Sequence, residues 1–413
     1  MKNRSSSLKH CVTLAISAAC VLALPLTIHA QTLTILHNFA GGADGASPYA
    51  GLIQANDGYL YGTTTQGGAN GKGTVFQMAS NGTIITLHSF SGGLDGSTSW
   101  AKLIQAGDGN LYGTTTQGGS QGAGTVFQIT TAGAVTTLYS FGSDPSGTDG
   151  GFPYCGLVQA SDGGLYGTTA HGGANSNGTV FQISTGGAYS SLFSFSPLTA
   201  TSTTSGNYYT NADGAQPWAS PIQGSDGNLY GTTVSGGATG NNYGTAYRIS
   251  LSGELTALHS FSGGVDGGRP IAGLIQASDG SFYGVASVGG ANGGGSIFRI
   301  TADGAFSTLH SFGKKDGTGP VAALMQATDG NLYGTTSQGG SHGSGTIFRI
   351  TIGGALTTLY NFGAVDRNGF NSDGASPKCL NQASDGKLYG TTSLGGVHGT
   401  GTVFSLSLNL PPK

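Results

Sequence analysis

Four aromatic residues, Tyr49, Trp100, Tyr154 and Trp218, each stand eight residues before an aspartate that opens a recurring phrase. They include both tryptophans of the protein. Trp and Tyr pair a large apolar face with a polar tip, which suits stacking on sugars or anchoring a protein partner. The same position holds Ile271 and Val321 in later copies, and the last copy departs by one residue around Lys378. Tyr208, Tyr209, Phe152 and Phe370 stand on insertions and are expected to extend the patch. The plainer expectation is that these rings only cover junctions between repeats. The sharper one is that the arc binds an extracellular glycan or protein.

The phrase reads Asp-Gly-x-(Leu/Phe)-Tyr-Gly, with aspartates at Asp57, Asp108, Asp162, Asp226, Asp279, Asp329 and Asp385. Carboxylates bind hard cations, but each turn offers one acid, so these read as turn residues bonding their own backbone. A second series (Asp44, Asp95, Asp149, Asp213, Asp266, Asp316 and Asp373) also precedes glycine and reads the same way. Glutamines recur three residues before the turn aspartates, from Gln54 to Gln382, and are expected to line a channel as a hydrogen-bond ladder. His37, His88, His259 and His310 share a position with Tyr139, Phe193 and Tyr360, which marks packing rather than metal binding. Cys155 and Cys379 fall in repeats that are not neighbours, so two free cysteines are expected. Glu254 is the only glutamate, and no acid pair for glycosidase chemistry can be nominated. The glycine-rich stretches lack the helix and the Lys-Ser/Thr ending of a phosphate loop. No catalytic residue, metal or cofactor is expected.

These residues need a scaffold that repeats every 50 to 64 residues, the spacing of the turn aspartates. One unit, from Ile271 to Pro320, reads as four short strands: 273–277, 282–287, 296–301 and 305–312. Asp-Gly between alternating runs is a strong hairpin signal. Four antiparallel strands at this period match a propeller blade and are too long for a β-helix coil. The fourth-strand phrase first occurs at Leu33–Phe39, before any turn unit, and the last unit stops after its third strand near Leu406. The expectation is therefore an all-β, seven-bladed β-propeller over residues 31–408, closed by strand 33–39 completing the last blade. Residues 409–413 read as a short polar stub. The insertions 142–152, 196–216 and 363–376 fall between blades, and their face is the expected binding face.

The run from Asp329 to Thr351, Asp-Gly-Asn-Leu-Tyr-Gly-Thr-Thr-Ser-Gln-Gly-Gly-Ser-His-Gly-Ser-Gly-Thr-Ile-Phe-Arg-Ile-Thr, resembles the bacterial GloVer tandem repeat. The likeness covers nearly all of residues 32–408. It implies export and a repeat fold, and no activity. Lys2, Arg4 and Lys9 precede an apolar stretch ending near Ala30, the pattern of a cleaved export signal over residues 1–30, with lipid attachment at Cys20 the lesser alternative. Charged residues are 8% and the net charge is -3, which gives no footprint for nucleic acid. The expectation is a monomeric exported binding or scaffold protein without stable membrane insertion, placed extracellularly, in the periplasm or on the cell surface. The alternatives are a polysaccharide lyase or hydrolase, built from His171, His342 or His398 with Asp149 or Asp373, and a structural envelope component.

Overall fold

The computed structural model describes residues 31–203 and 206–413, with the side chains of 201–208 excepted. The expected export leader lies outside the described residues. From Gln31 onward the chain forms seven four-stranded antiparallel sheets, each a blade of a β-propeller. Blade five shows the pattern, with Ile275–Gln276 innermost, then Phe282–Ala286, Ser296–Ile300 and Phe306–Ser311. The Asp-Gly turn forms because Gly280 adopts φ +79° and Asp279 accepts from the backbone N–H of Ser281 at 3.0 Å. The aspartate has a further role that its turn position alone did not announce. Its other oxygen accepts from the Tyr283 hydroxyl at 2.8 Å, and the same bond recurs in all seven blades.

The second strand is buried along its whole length, because blades pack on both of its faces. Tyr283 enters a cluster with Leu324, Leu332 and Phe348 of blade six. Seven such clusters fill the seven junctions, including the one that joins the last blade to the first. Burying one large aromatic per junction supplies roughly 1.5–3 kcal/mol of favourable transfer free energy each.

In six blades the innermost strand is shorter than its expected five residues, only Ile275 and Gln276 pairing with the second strand in blade five, whereas in blade seven it runs over Ala375–Gln382. The upstream backbone finds other partners. A second-strand threonine donates to a carbonyl of the next blade's inner segment, as Thr63 does to Ala101 at 3.2 Å and Thr391 to Ala50 at 3.0 Å. These side-chain bonds satisfy the segment without a ladder.

Ring closure follows the expectation. Thr32–Asn38 pairs antiparallel with Thr402–Ser407, placing Leu33 opposite Leu406 and Ile35 opposite Phe404. The C-terminal tail, expected as a polar stub, is instead docked. Leu408 and Leu410 pack against the core between blades six and seven, and the Pro411 carbonyl accepts from Thr328 Oγ1 and Gln382 Nε2. The insertion 196–216 holds a hairpin of its own, Thr199–Thr203 with Gly206–Thr210.

Candidate functional site

The inner segments of all seven blades surround a central channel whose cavity is about 1080 Å³. Its wall can be built up position by position. Eight residues before each turn aspartate, at the mouth, Tyr49, Trp100, Tyr154 and Trp218 come together as a continuous arc. Adjacent ring centroids are 4.2, 6.1 and 5.1 Å apart. Tyr49 and Trp218 are each 36% exposed, so the arc has accessible faces. Ile271 and Val321 line the rest of the mouth.

Two residues deeper, the repeats place small side chains: Gly51, Gly156, Ser220, Gly273 and Ala323, with Cys379. Close approach demands this, since a Cβ on Gly51 would meet Cys379 Cβ at 2.6 Å and one on Gly156 the Lys102 carbonyl at 2.4 Å. Lys102 is the exception at this level, a long cationic side chain among small ones. Burial pushes its amine below the usual lysine range, and the charge of Lys413 adds to the shift. Lys378 extends the aromatic arc at its Tyr49 end. Its Nζ lies 3.9 Å from the Tyr49 ring centroid and donates to Ser376 Oγ at 3.1 Å. It is only 3% exposed, and burial pushes it down to about 8. Burial also raises the Tyr49 phenol.

Deeper still lies an apolar belt that includes Ile53, Ile104, Ile222 and Met325. The glutamines follow. Each accepts from a backbone N–H in the preceding blade at 2.8–2.9 Å, as Gln105 does from Asn56 and Gln54 from Ser384, so the series runs unbroken around the ring. Six glutamines also donate to the glycine carbonyl of their own turn. Gln382 donates to Thr328 and the tail instead. These amides are engaged in closing the ring, as the ladder reading expects.

The other nominated residues are not brought to the arc. Tyr209 is 59% exposed on the inserted hairpin and does not line the channel. The Tyr208 side chain lies outside the described residues. Phe152 packs against His171 and Phe370 near Gly399, both away from the channel wall. These insertions serve their own loops, so the patch does not extend along them. Asp149 and Asp373, the acids considered for catalysis, accept from the hydroxyls of Tyr139 and Tyr360 rather than from a histidine.

The fourth-strand histidines do more than pack. His37, His88, His259 and His310 bond the second aspartate series at 2.6–3.1 Å, tying the outer strand to the between-blade loop. Cys155 and Cys379 are both free. Sequence reasoning missed Lys102 as a site residue. The available signal was one charged residue in a column of small ones.

A model of the Gloeobacter/Verrucomicrobia repeat matches residues 21–208 and again 189–404. No curated protein matches the chain. Among solved structures, the extracellular domain of a provisionally assigned hybrid two-component system of B. thetaiotaomicron is similar at 14% identity and TM-score 0.56, over 92% of this chain and 42% of that one. The chain thus spans less than half of that domain. The WD40 propeller domain of Doa1 is similar at 10% identity and TM-score 0.55, over 92% of this chain and 98% of that one. At these identities the likeness is one of fold.

Proposed function

The chain belongs to the Gloeobacter/Verrucomicrobia repeat family, and on that premise we propose that it is an exported, monomeric, non-catalytic binding protein that takes a glycan at the aromatic mouth of its channel. The observation that carries this reading is the unbroken arc from Tyr49 through Trp100 and Tyr154 to Trp218. The rings are tilted or edge-to-face to one another (54°, 81° and 30°), and Tyr49 and Trp218 keep accessible surface, an arrangement that favours the apolar faces of sugars over a flat protein surface. The basic and then apolar start of the sequence supports export.

The two tryptophans make the test direct, because all tryptophan emission comes from this site. Titration with an oligosaccharide panel is expected to shift that emission for at least one member. Calorimetry on the Trp100→Ala, Trp218→Ala double variant should then show a loss of at least about 2 kcal/mol, roughly thirtyfold in Kd. The melting temperature should move by only a few degrees. Retained affinity in the double variant sinks the reading.

A further inference from the structure

We infer that the channel mouth selects acidic sugars, with Lys102 and Lys378 receiving the carboxylate of a uronic acid whose ring stacks on the aromatic arc. This rests on the glycan reading above and narrows it to a substrate class. Three features of the cavity carry it.

The first is its charge. The protein has 18 acidic and 15 basic residues and a net charge of -3, yet among the described residues no aspartate or glutamate lines the channel while two lysines do. The cavity is a local positive site in a slightly negative molecule, which favours anions at its mouth.

The second is the state of those lysines. Among the described residues neither has a carboxylate within ion-pair distance, whereas His259, Arg299 and Lys387 do. Lys378 has one hydroxyl and one ring face as its partners. Lys378 is buried and Lys102, though half-buried by exposure, is enclosed by the channel wall; an enclosed ammonium without an anion is costly to hold, and desolvation depresses both amines. A bound carboxylate would relieve that cost through charge-assisted hydrogen bonds.

The third is placement. Lys378 sits against Tyr49 at one end of the arc. Lys102 stands two residues beyond Trp100, at the level where small side chains leave room. The aromatic arc and both lysines therefore line one cavity, as a ring bearing a carboxylate requires. Cys379, next to Lys378 in sequence, lines the same cavity.

The test uses trisaccharides of galacturonic, glucuronic and mannuronic acid, each beside its carboxyl-reduced counterpart, in which an uncharged hydroxymethyl group replaces every carboxylate. Tryptophan emission is followed on the wild type and on the Lys102→Met, Lys378→Met double variant. Methionine keeps the length of the stem, and removing buried charges is compatible with an unchanged or raised Tm. At least one uronate should bind at least about tenfold more tightly than its reduced partner, and the ratio should fall to within about twofold in the double variant. Equal binding of acid and reduced forms overturns the acidic preference and leaves the glycan reading standing. A preference that survives loss of both lysines overturns their assignment. Silence of the tryptophans toward every trisaccharide, acidic or reduced, removes this proposal together with its premise.

Discussion

His259 shows what a single residue contributes outside the channel. Its ring stacks on Phe306 at 3.8 Å, and its Nε2 bonds Asp266 at 3.1 Å. Burial lowers its affinity for protons, and this outweighs the aspartate's opposite effect. The folded chain thus binds a proton at this site less readily than the unfolded chain does. The stabilisation is complete above the ordinary histidine range near 6.5 and is lost as pH falls below it, levelling off under the folded-state value. Tyrosine fills the same position in blades two and six and donates to Asp149 and Asp373. His259→Tyr should therefore keep the bond and remove the titration. Denaturant midpoints at about pH 7.5 and pH 5 should fall further for the wild type than for the variant. Equal falls would remove the account. The packing role of this column was legible from its His, Tyr and Phe occupants. The donor role was not, because the accepting aspartate belongs to the following loop.

A blade depends on two kinds of glycine, and the repeated phrase contains both. Gly280 in the turn has φ +79° and open space where a Cβ would stand. Gly284 on the second strand has no such φ, but a Cβ there would lie 2.5 Å from Phe298 Cζ and 2.7 Å from Leu274 Cδ2. Gly280→Ala should cost about 1–2 kcal/mol through the left-handed backbone alone. Gly284→Ala should cost about 1–3 kcal/mol through overpacking. Adding Phe298→Leu separates the two causes. It should recover part of the Gly284→Ala loss and none of the Gly280→Ala loss, read as urea midpoints at constant m-value. A rescue of the turn variant would mean that the two positions share one cause. The order of strands in a blade was readable because turns and alternation are local. The two-residue innermost ladder was not, since the threonines that take over its carbonyls stand on a different blade.

Across the whole molecule, the same separation decides what sequence could reveal. Blade count and closure follow from counting phrases, and the aromatic arc follows from comparing one column across repeats. That Lys378 extends the arc at its Tyr49 end depends on the ring bringing repeat seven beside repeat one. Tyr49 and Lys378 lie 3.9 Å apart across that junction although the chain separates them almost end to end. The closure strand holds the junction in place: Phe39 is fully buried in its core, and Thr32–Asn38 covers the edge of Thr402–Ser407. A chain beginning at Ala40 would expose that edge and lose the apolar contacts of Leu33, Ile35 and Phe39. It should melt at a lower temperature and with a broader calorimetric transition than the chain beginning at Gln31. Ligand affinity at the mouth should fall with it, because the lysine end of the arc is no longer held against Tyr49. Supplying residues 31–39 as a separate peptide should restore part of both losses, since the strand pairs through backbone bonds available to a detached segment. An unchanged single transition in the truncated chain would show that the other six junctions hold the ring without this strand. Closure by this strand and binding at the mouth would then be independent of one another.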